Sequence, residues 1–213
     1  MALRPPASSI RGYVARRKAD GLWEVVFGYP AATADTFYVI ARATQRAPGD
    51  TTYAAVLLEP VEPDTGYFAR ASRATALAAN DFGQVTRPYN TAALPVAASG
   101  EWFVYLLPAP TRFGYWPHGG DARYRVSADG RTLREKRRLH NTVVEYGPPP
   151  PDASRRVATW HSAVVRDMVE DTDVFLVLTR RPPMAEYIVS DTFYFRVDLD
   201  GRITAYDRDD ISK

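Results

Sequence analysis

The chain has 213 residues, of which 46% are hydrophobic, 12% aromatic and 24% charged, and its formal net charge is +2. That apolar content supports a sizeable core and excludes a generally disordered chain. The absence of cysteine excludes thiol nucleophiles, thiolate zinc knuckles and disulfides.

Arg supplies 24 of the 27 basic residues, the others being Lys18, Lys136 and Lys213. This imbalance reads as the coding bias of a GC-rich, bacterial-type genome. The pI of about 8.8 follows from a small excess of Arg and demands no nucleic-acid partner. The opening residues, Met1 to Pro6, carry no apolar leader, so the reading is a cytoplasmic protein or an exported one whose leader has been removed. No stretch approaches the length of a membrane span.

Residues 1–8 are polar and Pro-containing and are expected to be flexible, with structure beginning between Ser9 and Val14. Residues 22–27 (LWEVVF), 35–42 (DTFYVIAR) and 53–59 (YAAVLLE) read as three strands of an antiparallel meander, punctuated by Gly, Pro and Asp. A helix is predicted over 67–80, where Phe68, Ala71, Thr75, Ala78 and Phe82 share a face. Asp64 or Thr65 is placed to cap it, and Gly83 lies just past its end. Residues 84–100 read as a loop, and 101–107 (EWFVYLL) as a strand buried on both faces.

Two hairpins follow. One runs through Arg123–Val126, turns at Asp129-Gly130 and returns over Leu133–Leu139; the other runs from Phe193 to Leu199, turns at Asp200-Gly201 and returns to Tyr206. Asp-Gly supplies the positive φ angles of a type I′ turn. Gly147 and Pro148 to Pro151 between them read as an extended surface loop within one domain, since 62 further residues are a marginal domain by themselves. Residues 173–178 (DVFLVL) fit a buried strand and a helix face equally. The expected fold is one α+β domain over 1–213: a mainly antiparallel sheet of six or more strands with at least one packed helix.

No Walker A loop, dinucleotide glycine fingerprint, G-x-S-x-G elbow or H-E-x-x-H pair is present. Two surface features suggest binding. Residues 121–138 hold seven basic residues against three acidic ones, and Arg134, Lys136 and Arg138 share a face of the return strand, while Arg123 and Arg125 share one on the outgoing strand. Tyr115, Trp116 and His118 lie in an aromatic loop beside them. The leading expectation is a non-catalytic binding module that meets an unknown protein or anionic ligand through this basic hairpin face and aromatic loop, with no cofactor. No recognisable nucleic-acid-binding module is present.

The alternative is metal chemistry around His161, one of only three histidines, which Asp167, Asp171 and Asp173 follow. The window from Trp160 to Asp173 resembles the JAMM-type metalloprotease pattern, in which His-x-His precedes a Ser and an Asp ligand and a catalytic Glu lies upstream. His161 stands at the first His; the second is replaced by Ala163. Asp173 falls one residue short of the Asp position, Asp171 stands where the Ser belongs, and Glu145 is the upstream Glu by position. Over about the last third of the chain, the resemblance implies a zinc-assisted hydrolase using His161 and Asp173, with Asp167 or Asp171 as a further ligand. An enzyme with a carboxylate-only site is the third reading.

Overall fold

A computed structural model of the chain describes residues 10–148 and 158–211. The expected flexible N-terminus and most of the Pro-rich segment, residues 149–151, lie outside the described residues. By its internal contacts the chain divides into two compact units, each discontinuous in sequence. The first takes Met1–Gln84, Thr91–Tyr105 and Tyr124–Lys136; the second takes Val85–Asn90, Leu106–Arg123 and Arg137–Lys213.

The predicted meander is present and gains a strand at its start. β1 (Gly12–Arg17), β2 (Trp23–Pro30), β3 (Phe37–Gln45) and β4 (Tyr53–Asp64) form an antiparallel sheet in chain order. The predicted helix follows as α1 (Tyr67–Phe82). Its N-cap is Gly66, which has no side chain, and Asp64 serves in its place: Oδ1 accepts from the N–H groups of Gly66 and Ala69 at 3.1 and 3.0 Å. Phe68, Ala71, Ala74 and Ala78 are buried, and the small alanines let the helix lie close to β1–β4; Thr75 and Phe82 are only half-buried.

The segment expected to be a loop contains β5 (Tyr89–Pro95). β6 (Trp102–Pro108) lies where a strand is expected, but it is fully buried on one face only, through Trp102, Val104, Leu106 and Pro108. β7 (Trp116–Gly119) precedes the first hairpin, β8 (Ala122–Val126) and β9 (Leu133–Arg138). These strands form a sheet in the order β5-β6-β8-β9, and β7 pairs antiparallel with β10 (Val143–Tyr146).

The hairpin turn is not type I′. Gly130 has φ +76°, whereas Asp129 stays out of the positive-φ region. The Gly130 N–H donates to the Ser127 carbonyl at 2.8 Å, which makes 127–130 a type I turn with Gly130 as the bulge residue. Asp129 contributes its carboxylate instead, accepting from the Arg131 N–H at 3.1 Å. The second hairpin repeats this chemistry, with Gly201 at φ +82° and its N–H on the Asp198 carbonyl at 2.8 Å.

The rest of the second unit is a sheet in the order β11 (Ala158–Ser162), β12 (Ala185–Val189), β13 (Phe193–Val197), β14 (Ile203–Asp207). β11 and β12 run parallel, joined by a crossover that contains α2 (Asp171–Thr179); the other pairs are antiparallel. Residues 173–178 are therefore helical. α3 (Arg208–Ile211) ends the described chain. Val177 of α2 packs on Ile188 and Val197 of the sheet, all nearly solvent-free, and each such burial contributes about 2 kcal/mol.

Candidate metal centre

All three histidines of the chain meet in the second unit, around one aspartate. His118 comes from β7, where it lies opposite Val144 of β10. Gly119 and Gly120 follow with φ +81° and +63°. A Cβ on Gly119 would stand 2.3 Å from the Thr142 carbonyl oxygen and 3.2 Å from Cβ of His140. The glycine pair is what lets β7 turn back tightly beside the 140–143 segment and set His118 against His140. The same approach is held by the Leu139 N–H on the Asp121 carbonyl at 3.1 Å.

His161 arrives on β11. Alternation puts it on the same face as Thr159, and the parallel register places Glu186 of β12 beside Thr159. Asp173 is the third residue of α2. Its Oδ2 accepts the Glu170 N–H at 2.7 Å, an N-terminal helix contact, which leaves Oδ1 facing the histidines.

Three imidazole Nε2 atoms converge on that one oxygen. Oδ1 of Asp173 lies 2.9 Å from His118, 3.1 Å from His140 and 3.3 Å from His161. One ligand atom from each of the four residues lies within 4.8 Å of the others. Tetrahedral donors bonded at about 2.0 Å stand roughly 3.3 Å apart. The three Nε2–Oδ1 distances match that separation, whereas the four donor atoms as a set spread to 4.8 Å, so the imidazoles would draw together around an ion. Nε2 of His161, the longest of the three contacts, is buried and points into this cluster.

Two of the imidazoles are held from behind by carboxylates. Nδ1 of His140 is 2.8 Å from Asp121, and Nδ1 of His161 is 3.0 Å from Glu186. An Nδ1–H donated to a carboxylate fixes the tautomer that turns Nε2 toward a metal. Glu186 is anchored in turn: Tyr146 donates to Oε1 at 3.1 Å, Arg180 donates to Oε2 at 2.9 Å, and the Thr159 hydroxyl also donates to Oε2. Arg180 and Glu186 are both fully buried.

Burial opposes charge on His140, but hydrogen bonds to Asp121 and Asp173 outweigh it and raise its pKa to about 10. His161 is raised to about 9 by Asp173 and Glu186, again against burial. Burial would raise Asp173, yet the three imidazoles hold it far below the usual carboxylate range.

Comparison with protein-family models, with curated proteins and with solved structures finds no match to this chain.

Of the four residues in the metal reading from sequence, the structure brings two together, His161 and Asp173. Asp171 pairs with Arg123 at 2.5 Å. Asp167 accepts from the Thr192 N–H at 3.1 Å, and hydrogen bonds with Ser190 and Thr192 lower its pKa to about 2. Glu145 is taken by Arg87 and Arg112, both at 2.9 Å. His118, assigned from sequence to an aromatic binding loop, is buried in the cluster, and His140 joins it. Trp116 donates its indole N–H to the Arg181 carbonyl at 2.8 Å, and the Arg112 guanidinium stacks 3.7 Å from the Tyr115 ring.

The basic residues of the first hairpin mostly meet acids. Arg125 and Arg134 reach Glu101 at 2.6 and 3.9 Å, and Lys136 reaches Asp81 at 2.8 Å. Arg138 is exposed. The one signal the sequence carries is that any imidazole site must draw on only three histidines; their convergence is not written in it.

Proposed function

We propose that this chain is a metalloprotein in which His118, His140, His161 and Asp173 hold one divalent first-row transition-metal ion, zinc foremost, as a cross-link of the second unit. The observation that carries this reading is the convergence of three buried Nε2 atoms on a single carboxylate oxygen, at 2.9, 3.1 and 3.3 Å. Imidazole nitrogen with one carboxylate is a donor set suited to zinc and its neighbours. The two carboxylates behind His140 and His161 are the outer layer such a site requires.

The centre ties together four segments: β7, the β9–β10 connection, β11 and α2. A metal bound only by the folded arrangement contributes its binding energy to folding. Four protein ligands with side chains 1–10% exposed make a closed set, which favours a structural over a hydrolytic role. Hydrolysis also needs a free base. Asp121 and Glu186 are committed to imidazoles, and Glu145 is clamped by two arginines. The hairpin-binding reading has less support, because most of its cations already face carboxylates.

The test is elemental mass spectrometry on protein purified without chelators or a histidine tag. About one zinc-class ion per chain is expected, lost in His161→Ala and Asp173→Ala and kept in Asp167→Ala. Absence of metal in the wild type after zinc is added back and excess removed overturns the proposal.

A further inference from the structure

We infer that a cavity at the C-terminal end of α2, separate from the metal ligands, binds a small aromatic carboxylate. It has a volume of ≈ 320 Å³ and is walled by Trp116, Tyr146, Pro182, Pro183 and Met184, with Arg181 beside them. That volume is at the lower end for small-molecule sites, enough for one ring system with a short substituent.

The walls are fixed before any ligand arrives. The Trp116 indole is held by its bond to the Arg181 carbonyl, and the Tyr146 ring by its hydroxyl on Glu186. The two prolines have no χ freedom of consequence. A flat apolar ring entering between them orders few side chains, so little of its burial is offset by lost entropy.

The polar end is set by Arg181. In the second unit Arg87, Arg112, Arg123, Arg137 and Arg180 each face a carboxylate. Arg181 is exposed and faces none among the described residues. Its Nη1 donates only to carbonyls at the end of α2, those of Leu178, Thr179 and Arg180 at 3.4, 3.3 and 2.9 Å. Those bonds hold the guanidinium in place and leave Nε and Nη2 for a ligand carboxylate. Arg180 also lines the cavity, and its buried Nε has no hydrogen-bond partner among the described residues. Apolar ring walls with one uncompensated cation match an aromatic ring bearing one carboxylate.

The inference does not depend on the metal. It is tested by calorimetric titration of the full chain, with and without zinc, using phenylacetate and its uncharged counterpart phenylacetamide. Phenylacetate is expected to bind at millimolar concentrations or better, about fivefold tighter than phenylacetamide. Arg181→Gln, an exposed change, is expected to bring phenylacetate down to the amide's affinity without altering the circular dichroism spectrum. Failure of both probes to bind overturns the cavity as a site. Equal affinities in the wild type, or a preference that survives Arg181→Gln, overturn the carboxylate assignment.

Discussion

Asp173 gives one carboxylate oxygen to the Glu170 N–H at 2.7 Å and turns the other toward three imidazoles. The residue that closes the N-terminal turn of α2 is therefore also the anion of the proposed centre, and the two tasks can be separated. An Asn at 173 keeps an oxygen for the helix N-terminus but offers an NH₂ group where a ligand oxygen is needed. Asp173→Asn is expected to retain the helix by circular dichroism and to weaken zinc binding by at least about a hundredfold. Asp173→Ala should match it in zinc binding and lose about 1 kcal/mol more stability through the missing N-terminal contact. Stoichiometric zinc in Asp173→Asn would contradict the ligand assignment.

The protonation of the cluster gives a pH signature. His140 and His161 have folded-state pKa values of about 10 and about 9, above their unfolded value of 6.5. In the metal-free protein their charged forms contribute stability that is complete below pH 6.5 and is lost as pH rises through 9 to 10. Bound metal reverses the sign, because protons compete with it and its affinity grows with pH. Thermal melts between pH 6 and 10 should therefore show the chelated protein losing Tm with rising pH while the zinc-loaded protein does not. Zinc binding near pH 7.5 should release about two protons per ion, read by calorimetry in buffers of different ionisation enthalpy. Release near zero would mean that His140 and His161 are not ligands.

Much of the first unit was legible because local rules decide it. The meander strands alternate, and α1 carries Asp64 before it and Gly83 after it. β5 was missed because Asn90, Pro95 and small residues suit a loop; it survives as an edge strand, where Pro is tolerated. Residues 173–178 were ambiguous by periodicity, although the acids at 170, 171 and 173 match a helix N-terminus. The metal cluster was only half legible. His161 and Asp173 are twelve residues apart and invite comparison, whereas His118 and His140 reach them through the β7–β10 pairing, which no local pattern announces. Read against its own neighbours, His118 belonged to an aromatic loop.

The layer behind the ligands makes a separate prediction, because its two carboxylates differ in what else they hold. Asp121 supports His140 through one charge-assisted bond. Glu186 supports His161 and also neutralises the fully buried Arg180. Asp121→Asn should weaken zinc binding by about 10–100-fold at a stability cost of about 2 kcal/mol. Glu186→Gln should match that loss of affinity but cost about 3–5 kcal/mol, since it leaves a buried guanidinium unpaired. Denaturant melts of the two zinc-free variants separate the effects. Equal costs would mean that Arg180 finds another anion.

Gly119 tests whether the backbone builds the centre. Its φ is +81°, and a Cβ there would meet the Thr142 carbonyl oxygen at 2.3 Å. Gly49 has a similar φ of +77° with nothing within 4 Å, so Gly49→Ala isolates the conformational cost alone, about 1–2 kcal/mol. Gly119→Ala adds a backbone clash that is relieved only by moving β7 away from 140–143, the two segments that carry His118 and His140. It should cost about 3 kcal/mol or more and, unlike Gly49→Ala, weaken zinc binding. Melts of both variants with and without zinc decide the matter. A Gly119→Ala protein with wild-type zinc affinity would mean that the tight turn shapes the fold but does not set the ligand geometry.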